Sequence, residues 1–94
     1  MKTLSWHNSF RRAFKRHVKT NPALQERIFN VIEMLAKNPF DPALKTHKLS
    51  GNLKGLWACW IEYDCRIIFT YESAPDGKEE IIALIDLGAH DEVY

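Results

Sequence analysis

Apolar and polar positions follow two different periods along this chain, and the change falls near residue 56. A short strand is predicted at Thr3–Trp6, and then Phe10, Ala13, Phe14 and His17 share one side of a helix that starts from a cap at Asn8 or Ser9 and runs to about Lys19. Arg11, Arg12, Lys15, Arg16 and Lys19 take its other side. Asn21 and Pro22 supply an N-cap with proline at the first helical position. Leu24, Ile28, Val31, Ile32 and Leu35 follow at helical spacing until Asn38 and Pro39 stop the second helix. Two helices joined by a two-residue turn predict a hairpin with one apolar face.

Residues 38–56 hold Pro39, Pro42, Gly51 and Gly55 and predict irregular chain. Three strand-like runs follow, at 57–62, 66–71 and 81–87, with turns at 63–65 and at 73–78. The order β-α-α-β-β-β predicts one α+β domain over residues 1–94, its helical hairpin packed on one face of a small antiparallel sheet. The other face is then left for a ligand. Strict alternation sets Trp60 and Glu62 opposite Trp57, Cys59 and Ile61. It sets Arg66, Ile68 and Thr70 opposite Ile67, Phe69 and Tyr71, and Ile82, Leu84 and Asp86 opposite Ile81, Ala83, Ile85 and Leu87. Trp60, Glu62, Arg66 and Asp86 are the polar members expected on the free face.

Composition narrows the class. At 46% hydrophobic and 12% aromatic, 94 residues carry enough apolar mass for one core without a metal or disulfide. No apolar run approaches the roughly 20 residues of a membrane span, and the N-terminus lacks the apolar stretch of a signal peptide, so a cytoplasmic protein is expected. Cys59 and Cys65 fit that compartment as reduced, half-buried thiols. Two cysteines and four scattered histidines do not make a zinc site. The net charge of +1 hides an asymmetry: residues 1–55 hold eleven Lys/Arg against three acids, residues 56–94 two against nine. A basic half of this kind suggests a polyanion-binding surface, against the simpler reading of solvated helices.

Three segments carry a family likeness. His47 to Gly55 (HKLSGNLKG), Glu62 to Phe69 (EYDCRIIF) and Gly88 to Tyr94 (GAHDEVY) resemble, in order and spacing, the H-x-L-x-G, E-Y-D-x-R-I-x-F and G-x-H-x-x-x-[FY] pieces of the RelE/ParE toxin superfamily. The nearest branch is that of the YafQ-like mRNA interferases. The resemblance implies the toxin of a type II toxin–antitoxin system: an endoribonuclease needing no metal or cofactor, which cleaves mRNA in association with the ribosome. It also implies an antitoxin partner, with a monomeric toxin inside a toxin–antitoxin hetero-oligomer.

Metal-free cleavage uses the 2′-hydroxyl as nucleophile. One group must remove its proton, another must protonate the leaving 5′-oxygen, a cation must offset the phosphate's developing charge, and a splayed base must be held by stacking. By resemblance His47 and His90 are the catalytic histidines, Asp64 orients a histidine or acts as a base, Arg66 meets the scissile phosphate, and Tyr94 positions the substrate. Lys48, Lys54, Trp60 and the helix cations Arg11, Arg12, Lys15 and Arg16 are the candidate RNA contacts. Each has a plainer alternative: Asp64 as a turn former, Arg66 as a strand cation paired with Glu62, and His7 and His17 as structural or solvated residues. Two positions depart from the branch, Trp60 standing in place of a histidine and Asp86 in place of a phosphate-binding arginine. They keep open a degenerate module that only binds antitoxin. A toxin of this fold that binds DNA gyrase is the other alternative, against which His47, His90 and the terminal aromatic favour the nuclease.

Overall fold

A computed structural model describes residues 2–89. Within them the order is β1 (Thr3–Trp6), α1 (Asn8–Thr20), α2 (Ala23–Lys37), β2 (His47–Lys48), β3 (Trp57–Glu62), β4 (Cys65–Ser73) and β5 (Glu80–Gly88). The sheet runs β1-β5-β4-β3-β2. The three C-terminal strands are joined by hairpins and pair antiparallel, as expected, whereas β1 pairs parallel with β5, from Thr3 opposite Ile81 to Trp6 opposite Leu84. Those hairpins leave one edge of β5 open, and β1 fills it, tied at its start by the Lys2 N–H to the Ala36 carbonyl (2.8 Å). The sheet is therefore mixed rather than purely antiparallel.

Both predicted helices form, and their apolar stripes are buried: Phe10 and Ala13 on α1, and Leu24, Ile28, Val31, Ile32, Leu35 and Ala36 on α2. These close over Cys59, Ile61, Cys65, Ile67, Phe69, Ile82, Leu84 and Leu87 on one face of the sheet. The start of α1 differs from expectation. His7, with an extended backbone, precedes the helix and no side chain caps it. The Ser9 hydroxyl donates instead to the Ile85 carbonyl, tethering α1 to β5.

Two register shifts change the faces that strict alternation predicts. Between Trp60 and Glu62, β3 gains a residue against β4, so Glu62 lies opposite Cys65, which faces the helical core. Glu62 accordingly leaves the free face, and its carboxylate sits 3.9 Å from Arg27 Nε of α2. The alternative pairing of Glu62 with Arg66 gives way to this contact across the helix layer. Between Ile68 and Phe69, β5 gains a residue: Asp86 opposes Ile68 while Leu84 opposes Phe69. Ile82, Leu84 and Leu87 thus all point into the core, and Ile85 packs with Ala58 and Ile68 on the other face. Without that bulge Asp86 would project between the sheet and the helices.

The segment expected to be irregular contains a two-residue edge strand, β2, and two single 3-10 turns, Pro42–Leu44 and Gly51–Leu53. Leu49 and Leu56 fold back onto Ala58 and Ile68, covering part of the free face with a small apolar cluster. The Thr70 hydroxyl holds this flap through the Gly55 carbonyl at 3.0 Å.

Cys59 and Cys65 are not joined in a disulfide and are more deeply placed than the half-burial expected of them, at 0% and 6% exposure. Burial pushes the Cys59 thiol from 9.0 up to about 12. An unfolded chain gives up this proton near pH 9.0 and the folded chain keeps it to about 12, so folding stability falls as pH rises through that window. Chemical denaturation across it should show that fall in the native protein and a smaller one in Cys59→Ala.

Candidate functional site

The register places one set of side chains across the free face. His47, Ala58, Ile68 and Asp86 are successive cross-strand partners on β2, β3, β4 and β5. One step along, Trp60, Arg66 and Gly88 form the next row. His47 and Arg66, expected to work together, therefore share a surface with Trp60 between them.

His47 is exposed, and its ring is oriented by the chain just before it. Its Nδ1 lies 3.0 Å from the Lys45 carbonyl, an oxygen that only accepts. The contact is a hydrogen bond when Nδ1 carries the proton, and Nε2 is then the nitrogen whose lone pair can take one up. Lys45 adopts the left-handed conformation (φ 50°), uncommon for a side-chain-bearing residue. Its ammonium lies 5.0 Å from the centroid of the Trp60 ring. Sequence reasoning passed over Lys45. The available signal was a lysine two positions before a motif histidine, at the end of a proline-initiated turn.

The H-x-L-x-G motif also gains a backbone reason. After His47 and the inward-folded Leu49, Gly51 has φ +66° and Gly55 +96°, conformations an L side chain rarely takes. They turn the chain over the sheet face and back. Two open grooves flank this flap. One, of about 340 Å³, is lined by His47, Lys48, Leu49, Ser50 and Leu53. The other, of about 520 Å³, lies against Lys48, Lys54, Leu56 and Trp57.

Asp86 has a structural occupation. Its Oδ1 accepts the Leu87 N–H at 2.8 Å, while the Ile85 carbonyl beside it is taken by Ser9. The carboxylate thus satisfies a backbone donor at the β5 bulge, which accounts for an acid on this face. Asp64 is exposed at the β3–β4 turn, beyond the Trp60–Arg66 row from His47. β5 ends with Gly88 opposite Arg66, and His90 and Tyr94 lie outside the described residues.

Arg11, Arg12, Lys15 and Arg16 are all exposed on α1, a helix packed on the opposite face of the sheet from His47. The structure does not bring them to the His47 surface. His7 lies 3.4 Å from Glu72 on β4. Among the described residues no cluster of three or more His, Cys, Asp or Glu could hold a metal ion, and no helix is long and apolar enough to cross a membrane.

A helical hairpin on one face of a five-stranded, mostly antiparallel sheet is the architecture of the small RelE/ParE-like toxins. Residues 2–94 match the family described as the bacterial toxin of type II toxin–antitoxin system, YafQ, and this chain belongs to that family. The YoeB/ParE toxin from Agrobacterium tumefaciens is 24% identical, with 96% of this chain and 99% of that one covered and a TM-score of 0.76. YafQ from E. coli strain BL21(DE3) is 14% identical over 100% of this chain and 99% of that one, at a TM-score of 0.78. The same coverage and TM-score, at 16% identity, hold for the E. coli DinJ-YafQ complex. At such identities the likeness is one of fold. No curated protein matches the chain.

The role of Asp86 can be checked by thermal unfolding. Asp86→Ala leaves the Leu87 N–H without its acceptor and should cost about 1 kcal/mol, whereas Asp86→Asn keeps an oxygen there and should cost less. Equal losses from the two variants would contradict the bulge role.

Proposed function

We propose that this toxin is a metal-independent endoribonuclease that cleaves mRNA at the free face of its sheet. The observation that carries the reading is His47, exposed on that face with Nδ1 directed at a backbone carbonyl, in the same surface as Trp60 and Arg66. In the proposed reaction His47 Nε2 takes the proton of the 2′-hydroxyl. The 2′-oxygen attacks phosphorus, the bond to the 5′-oxygen breaks, and that oxygen receives a proton from His90. The products are a 2′,3′-cyclic phosphate and a 5′-hydroxyl.

Arg66, supported by Lys45, offsets the charge that builds on the phosphate, and Trp60 stacks on a splayed base. Asp64 orients a histidine or shares the base role, and Tyr94 positions the substrate. Lys48 and Lys54 hold the RNA backbone beside the flap. The α1 cations lie on the other layer, so their proposed role is a second contact, with ribosomal RNA during cleavage on the ribosome. In the cytoplasm the toxin is held inactive by an acidic antitoxin within a hetero-oligomer. The family to which the chain belongs and the antitoxin-bound relative of the same fold support that part of the reading.

His47→Ala should lower cleavage of a short RNA by about 10²- to 10⁴-fold and end growth arrest on induction, with the melting temperature nearly unchanged because the side chain is exposed. Retained toxicity, or DNA supercoiling lost while transcripts stay whole, would overturn the assignment. Neutralising Arg11, Arg12, Lys15 and Arg16 together should flatten the salt dependence of ribosome binding while cleavage of a free oligonucleotide persists. A salt slope equal to that of the wild type would mean these cations are only solvated.

A further inference from the structure

Strand β3 carries two tryptophans, and each has a lysine over its ring. Lys45 lies 5.0 Å from the centroid of Trp60, and Lys48 lies 5.3 Å from that of Trp57. The first pair belongs to the surface around His47. The second takes no part in the cleavage step. Lys48 follows His47 in the edge strand, in register with Trp57, so its side chain leaves the opposite face of that strand.

The larger groove opens there. Its volume of about 520 Å³ falls within the roughly 300–1,000 Å³ usual for a ligand cleft. Leu49, Leu56 and Trp57 supply its apolar walls, Lys48 and Lys54 its charge, and among the described residues no acidic one lines it. It shares Lys48, Leu49 and Ser50 with the groove that contains His47. The two grooves therefore meet at the edge of the sheet, with the histidine on one side of the junction.

We propose that this second groove is a nucleotide subsite that holds a base flanking the scissile step. The base rests against Leu49, Leu56 and Trp57, and its phosphate meets Lys48 and Lys54. This rests on the nuclease reading above and adds where the strand goes: it rounds the β2 edge from Trp60 past His47 to Trp57. Stacking and apolar contact recognise any base by the area of its face. Among the described residues the Ser50 hydroxyl and the Trp57 indole N–H are the uncharged hydrogen-bonding side-chain groups that line the groove, so it favours a large purine face over a full reading of a base edge.

The test uses a trinucleotide made uncleavable by a 2′-deoxy group at the attacking position, and the same molecule with the base removed at one end or the other. Loss of one terminal base should weaken binding about tenfold, the usual scale of one stacked base. A 4-thiouridine at that end should cross-link within residues 48–57. Lys54→Ala, at an exposed position, should weaken the intact trinucleotide at least threefold and lower its salt slope by about one charge. Cross-links confined to residues 58–70 from both ends, or an unchanged affinity in Lys54→Ala, would overturn the subsite, and the His47 nuclease reading would stand without it. A glutamate-rich peptide that displaces the trinucleotide better than RNA does would reassign the groove to a protein partner and overturn it as well. A wild-type protein that neither binds nor cuts RNA would remove the nuclease reading and the subsite together.

Discussion

The helical hairpin and the sheet are held together by one continuous apolar seam, in which Phe10, Ile28 and Leu35 meet Cys59, Ile67, Phe69, Ile82, Leu84 and Leu87. Each large member contributes about 1.5–3 kcal/mol relative to an exposed side chain, and in a domain this small few of them can be spared. Every side chain on the inner side of β3, β4 and β5 must therefore be apolar or be moved away. The β5 bulge does the moving, bringing Asp86 out of the seam to lie opposite Ile68. The β3 bulge works the other way, taking Glu62 off the free face to the rim of the helix layer, where Arg27 meets it.

From that constraint the candidate site follows. With one face sealed, Trp60 of β3 and Arg66 of β4 lie on the other as direct cross-strand partners. β2 adds His47 at the edge, and the left-handed Lys45 before it both orients the imidazole and places a cation on Trp60. The flap that carries Leu49 and Leu56 covers the apolar remainder of this face, which would otherwise expose Ile68 and Ala58 to water. Charge is distributed to match. Lys45 and Lys48 beside His47 come from the basic chain before residue 56 and Arg66 from β4, while Asp86 is directed at a backbone N–H.

The amphipathic stripes of α1 and α2 and the three long strands were legible because burial of one face imposes a period of 3.6 or 2 on the residues themselves. The bulges were not, since an extra residue in a strand leaves the composition of the run unchanged. Strict alternation consequently put Glu62 with Trp60, and set Asp86 with Ile82 and Leu84. The parallel placement of β1 was hidden for a related reason: it depends on which edge of β5 remains open, a property of the assembled sheet. His47 and Arg66 were found through their motifs, and the sheet register joins them on one surface. Lys45 and Trp57 escaped because neither belongs to the matched motif pieces: Lys45 lies two positions before the motif histidine and Trp57 at the start of β3. The helix cations show the converse, a strong charge pattern whose position on the far layer separates it from His47.

A 2′-hydroxyl attack carried out by side chains alone is tested most directly by the chemistry of the cut ends. A short RNA incubated with purified protein in excess chelator, and analysed by mass spectrometry, should yield fragments ending in a 2′,3′-cyclic phosphate or its 3′-phosphate hydrolysis product, paired with 5′-hydroxyl fragments. The all-deoxy strand of the same sequence should stay intact. Fragments with 5′-phosphate and 3′-hydroxyl ends, or cleavage that appears only when a divalent cation is restored, would contradict it.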